Sequence, residues 1–211
     1  MSAPNGLTLW GMGTVRQLRP HWMLAELGLD YEYFPVHPRS GETKTAEFLR
    51  INPRHKVPVL RHGTMVITES AAIIEYLGDA FPVPAGVYVP RDPAGRARLN
   101  EWCYFIVSEL DATSLYIVRR HGGLKHIYGE APVAVEGAKD YFREQLGAVD
   151  DRIGATLVPE GFSIADILMV TCLDWAADER IPLPPNAAAY HAGMKQRPAY
   201  QAACAKAYQK S

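Results

Sequence analysis

Residues 51–77 read INPRHKVPVLRHGTMVITESAAIIEYL, and the fold of the first part of the chain turns on them. Val57-Pro58-Val59-Leu60 is β-rich, Arg61-His62-Gly63 reads as a turn with glycine at the positive-φ position, and Met65-Val66-Ile67 returns, which predicts a β-hairpin. Thr68-Glu69-Ser70 then opens a helix over 71–77. Proline cannot donate to a sheet ladder. Pro58 therefore either starts a strand or forms a cis peptide that turns the preceding backbone groups toward a ligand. Thr68-Glu69-Ser70 also has two readings. One is a helix cap. The other is a binding site, because a helix N-terminus offers unpaired N–H groups and a positive dipole end to a carboxylate while Glu69 holds a nearby ammonium. The α-ammonium and α-carboxylate of an amino acid fit that pair.

Working outward toward the N-terminus, Leu7 to Trp10 reads as a strand running into the turn Gly11-Met12-Gly13. Apolar positions over 15–27 recur at helical spacing, and Gly28 supplies the stop. Residues 31–36 are β-rich, and 43–51 read as a short helix ending before Asn52-Pro53. The order β-α-β-α-β-β-α predicts a mixed sheet with helices against it, since parallel strands need crossover connections. Gly11-Met12-Gly13 with Asp30 and Glu32 suggests a dinucleotide fingerprint, but Arg16 stands where the third glycine belongs, which argues against it.

Working outward toward the C-terminus, residues 81–93 hold four prolines and a glycine, the composition of a boundary between compact units. This divides the chain into an α/β domain over 1–82, a linker over 83–93 and an all-helical domain over 94–211. Beyond the linker, segments 97–117, 133–153, 164–177, 186–196 and 199–208 read as helices. The first is apolar on more than one face, which predicts burial, or an apolar pocket at a domain interface if one face looks toward the first domain. Phe162-Ser163-Ile164-Ala165-Asp166-Ile167 predicts a structural helix start with Ser163 as N-cap and Asp166 reaching back to the cap amide. His121 and His126 lack a carboxylate partner nearby, so no metal site is expected.

Composition bounds the rest. Of 211 residues, 48% are hydrophobic and 21% charged, the balance of an ordinary globular protein and not of a disordered, collagenous or coiled-coil chain. Twenty-two Lys and Arg against 23 Asp and Glu leave a net charge of -1, so no global field draws the chain to nucleic acid or anionic membrane. Three cysteines without CxxC spacing disfavour a disulfide scaffold. MSAPNGLTLW lacks the pattern of a signal peptide and no run approaches 18 apolar residues, so a cytoplasmic location is expected.

Taken in order, these segments resemble the soluble glutathione transferases over nearly the whole chain. The resemblance rests on the strand from Leu7 to Trp10 leading into a helix with Arg19 and Trp22, on Ala25-Glu26-Leu27-Gly28-Leu29-Asp30-Tyr31, and on Asn52-Pro53-Arg54-His55-Lys56-Val57-Pro58-Val59-Leu60. It continues through Glu69-Ser70-Ala71-Ala72-Ile73-Ile74-Glu75-Tyr76-Leu77, the Ser163 to Asp166 helix start and Arg197-Pro198-Ala199-Tyr200. It implies a thioredoxin-like N-terminal domain, an all-α C-terminal domain, a homodimer and a role in detoxification.

The resemblance also implies a site. Pro58 would be the cis proline, Val57 would pair its backbone with the cysteinyl part of glutathione, and Glu69 with Ser70 would hold the γ-glutamyl group. Lys56, with Lys44 as a second candidate, would meet the glycyl carboxylate. Thr14 falls at the family's catalytic serine position, and Arg16 at that of the cysteine or asparagine of some members. A threonine hydroxyl does not ionise usefully, so Thr14 would donate a hydrogen bond to the thiolate, and the Arg16 guanidinium would favour the anion electrostatically. Met12, Tyr104, Ser108 and Tyr116 would line the acceptor pocket. The expected activity is transfer of glutathione, as co-substrate and without a metal, to an electrophilic, peroxide or disulfide acceptor. The alternatives are a non-catalytic glutathione-binding protein on the same fold and a zeta-type isomerase, whose serine-cysteine pair is lacking here.

Overall fold

The computed structural model describes residues 4–209 and separates into two compact units: residues up to Val89 together with those from Arg197 onward, and Pro90–Gln196.

In the first unit, β1 (Leu7–Trp10), α1 (Val15–Glu26), β2 (Glu32–Phe34), α2 (Ala46–Ile51), β3 (Val59–His62), β4 (Met65–Thr68) and α3 (Ser70–Ala80) follow the predicted order. The sheet runs β2-β1-β3-β4, with β1 parallel to β2 and antiparallel to β3. Leu9 lies opposite Tyr33 on one side and Leu60 on the other. The crossover through α1 allows the parallel pair, and the hairpin supplies the antiparallel one. That hairpin turns later than expected. His62 pairs with Met65, so Gly63-Thr64 forms a two-residue turn with Gly63 at φ 58°, and Arg61 and His62 belong to the strand. Gly28 ends α1 as read: at φ 63° it lets its N–H reach Ala25 and that of Leu29 reach Leu24. Under the sheet, Trp10, Phe48 and Val59 form a buried cluster against which Val36, Ile51 and Val57 pack.

The second unit holds α4 (Pro93–Phe105), α5 (Tyr116–Val118), α6 (Lys125–Tyr128), α7 (Pro132–Gly147), α8 (Ile164–Asp178) and α9 (Pro185–Met194). Asp92 caps α4 by accepting from the Ala94 and Gly95 amides at 3.0 and 2.9 Å, with Pro93 at the first helical position, so the helix begins inside the expected linker. The helix expected over 97–117 is not regular: Ile106–Leu115 is wound as a π-helix, with the Ser114 hydroxyl donating to the Glu109 carbonyl at 2.6 Å. The segment expected over 133–153 ends its helix at Gly147 and closes with a 3₁₀ turn at Asp150–Arg152. α8 is buried nearly all round, as its unbroken apolar sequence requires.

The last helix, α10 (Pro198–Ala207), does not group with the others, although the sequence placed it in a helical domain over 94–211. It packs on α1. The Arg197 guanidinium forks onto Glu26 at 2.7 and 2.8 Å, Tyr200 stands edge-on to Trp22, and the Ala207 carbonyl accepts from the Gly13 amide at 2.9 Å. Specific side-chain and backbone contacts, not sequence proximity, decide its membership.

Candidate functional site

The candidate site residues of the first unit lie on three loops. The first joins β1 to α1. Gly11, at φ 127°, lies so close to Val57 and Gln17 that a Cβ there would fall 2.9 Å from the Val57 Cβ, so glycine is required. Met12 is buried and bonds Val36 through its N–H, while Gly13, at φ 75°, is held by Ala207. Thr14 is then the N-cap of α1. It closes a capping box with Gln17: its side chain accepts from the Gln17 amide, and Gln17 Oε1 accepts from the Thr14 N–H at 3.1 Å. Accepting occupies a lone pair and leaves the Thr14 O–H as a donor. Thr14 is half-buried at the positive end of a twelve-residue helix, which favours an anion. Arg16 is half-buried two residues on.

The second loop joins α2 to β3. Asn52 is buried and organises it, donating from Nδ2 to the Lys56 carbonyl at 2.8 Å and accepting from the Arg54 amide at 3.1 Å. The Val57–Pro58 peptide is cis. Val57 is half-buried against Gly11, whereas the Lys56 side chain is exposed. Lys44 is exposed at the end of a 3₁₀ turn, Glu42–Lys44.

The third loop joins β4 to α3. Glu69 has φ 69° and ψ 118°, a conformation costing a non-glycine residue about 1–3 kcal/mol, and such outliers concentrate where a side chain must be aimed. Its carboxylate is exposed and pairs with Arg54, whose Nη2 also reaches Thr68 Oγ1 at 3.4 Å. Ser70 is buried at the first helical position, and its Oγ accepts from Nη1 of the buried Arg19 at 3.1 Å. That contact occupies one of the hydroxyl's two lone pairs and leaves its proton to be donated to an anion.

Gln17, Asn52 and Arg54 are additions to the sequence reading. Gln17 was legible as the fourth position of a Thr-x-x-Gln box. Asn52 and Arg54 act through a loop whose path no periodicity foretells. The expected acceptor residues of the second unit are less concentrated: Tyr104 is exposed, Ser108 spends its hydroxyl on the Tyr104 carbonyl at 2.6 Å, and Tyr116 is half-buried. Asp166 is a fully enclosed cap. Its Oδ2 accepts from the Ser163 amide and hydroxyl at 2.8 and 2.9 Å, and its Oδ1 accepts from the Leu157 amide and the Tyr190 hydroxyl at 2.9 and 2.8 Å. Burial pushes its carboxyl above the usual range against those four donors. Among the described residues there is no group of three or more metal-ligating side chains, and no helix long and apolar enough to cross a membrane.

Residues 5–79, which contain all three loops, match the family model described as the glutathione S-transferase N-terminal domain. Over 190 residues the chain is 32% identical to glutathione S-transferase F14 of Arabidopsis thaliana, covering 83% of this chain and 73% of that protein. The chain belongs to the glutathione S-transferase family. This transferase is also 39% identical over 101 residues to Protein LigF of Sphingobium sp., a match spanning 47% of the chain and only 39% of that relative. A solved glutathione transferase of Methylococcus capsulatus superposes with a TM-score of 0.79 at 31% identity, covering 93% of this chain and 96% of that one. The thioredoxin-like sheet and the helical second unit are thus those of a glutathione transferase.

Proposed function

We propose that this transferase binds glutathione on the three loops and lowers the pKa of its thiol with the Thr14 hydroxyl. The observation that carries the reading is the α3 start, where an exposed carboxylate at Glu69 stands beside the Ser70 hydroxyl, which keeps its proton to donate, and the first amides of the helix. These match the ammonium and the α-carboxylate of a γ-glutamyl group. Val57, Pro58 and Lys56 lie on the adjoining loop for the cysteinyl and glycyl parts. The thiol loses its proton to solvent, the thiolate attacks an electrophilic carbon, peroxide oxygen or disulfide sulfur, and the bond to the leaving group breaks as the bond to sulfur forms. Thr14 donates to the sulfur throughout. Met12, Tyr104, Ser108 and Tyr116 are the acceptor-side residues of this reading, which assigns a cytoplasmic detoxification role and no metal. Titration calorimetry of glutathione on wild type, Glu69→Ala and Ser70→Ala tests it. Each variant is expected to weaken binding by about tenfold or more, since a hydrogen bond to a charged group is worth about 1.5–3 kcal/mol. Equal affinities in all three proteins contradict it.

The same reading includes a homodimer. It is supported by the exposed Met65 and Val66 on β4, which is an edge strand, and by the exposed Val133 on α7. Light scattering at micromolar concentration should report about twice the 23.4 kDa of one chain. A concentration-independent monomer rules the dimer out.

A further inference from the structure

We infer that Arg54 is a ligand-binding residue: with Glu69 it forms a paired cation and anion that recognises the zwitterionic α-amino acid end of glutathione, Arg54 taking the α-carboxylate and Glu69 the ammonium. The inference rests on the glutathione reading above and extends its γ-glutamyl subsite by a residue outside the α3 start. Its basis is the way the two side chains divide their bonding capacity. Arg54 meets Glu69 and Thr68 through Nη2 alone, and Glu69 meets Arg54 through Oε1 alone. Among the described residues, Arg54 Nη1 and Nε and Glu69 Oε2 remain uncommitted. A guanidinium carries five N–H donors and a carboxylate about four acceptor sites, so each can serve its partner and a ligand together. Both are more than half exposed, at 55% and 68% of the side chain, so a ligand can reach them.

The pair is also held for the purpose. Asn52 anchors the Arg54 main chain through Oδ1 and the Lys56 carbonyl through Nδ2, which fixes the base of the arginine to the loop that carries Val57 and Pro58. The positive φ at Glu69 fixes the base of the glutamate. An ammonium and a carboxylate on one carbon are a short dipole, and a fixed Glu–Arg pair presents the reversed dipole, with opposite charges adjacent and like charges on the diagonal. Ser70 engages one carboxylate oxygen from the helix end, leaving the second for the planar fork of Arg54. An isolated exposed ion pair contributes little to stability, so the pair needs no structural role to account for its cost.

The test uses three peptides on wild type and Arg54→Gln, measured by titration calorimetry: glutathione, 4-aminobutyryl-Cys-Gly, which keeps the ammonium and lacks the carboxylate, and glutaryl-Cys-Gly, which keeps the carboxylate and lacks the ammonium. Arg54→Gln should weaken glutathione and glutaryl-Cys-Gly each about tenfold and leave 4-aminobutyryl-Cys-Gly unchanged. Arg54→Lys should restore only part of the loss, because it keeps the charge without the fork. If Arg54→Gln weakens glutathione and 4-aminobutyryl-Cys-Gly but spares glutaryl-Cys-Gly, the arginine acts only by positioning Glu69, and if it weakens all three alike it acts only on the loop as a whole; either result makes the assignment wrong. If it tightens glutathione, Arg54 is a competitor for Glu69 and the assignment is again wrong. Wild type that binds none of the three overturns the glutathione reading itself, and this inference with it, whereas binding that is sensitive to Glu69→Ala but not to Arg54→Gln overturns this inference alone.

Discussion

At the scale of single residues, the proposed glutathione site depends on which hydroxyls are left with a proton to give. Ser70 Oγ accepts from Arg19 and Thr14 Oγ1 from the Gln17 amide of its capping box, and in the proposed site each hydroxyl keeps its proton to donate to an anion. Thr14→Val keeps the shape and removes the donor. The lost bond to a charged sulfur should raise the pKa of the bound thiol by about one to two units, while glutathione affinity measured well below that pKa changes less. Thiolate absorbance against pH reads this directly. A titration that stays in place in Thr14→Val but moves upward in Arg16→Met transfers the activating role to Arg16. The Ser163 cap was legible in the sequence because caps are local, with Asp166 three positions on, whereas Thr14 and Ser70 were reached through the resemblance and their places at helix starts. Arg54 was not legible, since its contact with Glu69 joins two loops through a turn geometry that spacing does not encode.

At the scale of elements, α1 carries an unusual polar load. Gln17 and His21 lie one turn apart, and Gln17 Nε2 and the Tyr33 hydroxyl of β2 are buried with no hydrogen-bond partner among the described residues. His21 Nδ1 pairs with the Tyr31 hydroxyl at 2.6 Å, and its ring stands edge-on to Tyr33. Burial pushes the imidazole down to about 4 from its ordinary 6.5, with the nearby Lys206 ammonium adding to the effect and the Gly11 backbone opposing it. The folded protein therefore binds fewer protons than the unfolded chain between pH 6.5 and 4, and stability falls as pH drops through that window. The drop amounts to about 3 kcal/mol on reaching pH 4. Urea denaturation of wild type and His21→Gln at pH 7 and pH 4 checks this: the difference between the two proteins should shift by about that amount, and parallel pH profiles would show that His21 does not titrate on unfolding. Amphipathic spacing revealed α1 as a helix. It could not reveal which polar positions are buried, because residues brought in from β2 and from the C-terminus cover them.

At the scale of the whole molecule, the sequence marks a boundary after the α/β segment by its prolines and glycine, but it could not show the chain returning to the first unit. The return depends on Arg197 meeting Glu26, a pair separated by 171 positions, and on the Ala207 carbonyl meeting Gly13. Glu26 is the hub: its side chain is 8% exposed and it accepts from both Arg197 and the Trp22 indole N–H, the latter at 2.8 Å. Removing Arg197 would leave that carboxylate with the indole alone. A fully buried pair costs about 3–5 kcal/mol to break in this way, and because Arg197 is a third exposed the expected loss is smaller, about 1–3 kcal/mol. Arg197→Met should lower the urea midpoint accordingly, and Arg197→Lys should recover little, because an ammonium cannot make two parallel bonds to one carboxylate. Glu26→Gln combined with Arg197→Met should cost less than the sum of the single changes, since the second removes a charge the first has already orphaned. Additive losses would mean that α10 is held by Tyr200 and Ala207 instead. The fork would then contribute little to holding the helix, and the C-terminal helix would owe its place to packing on Trp22 and to the amide of Gly13, one residue before Thr14.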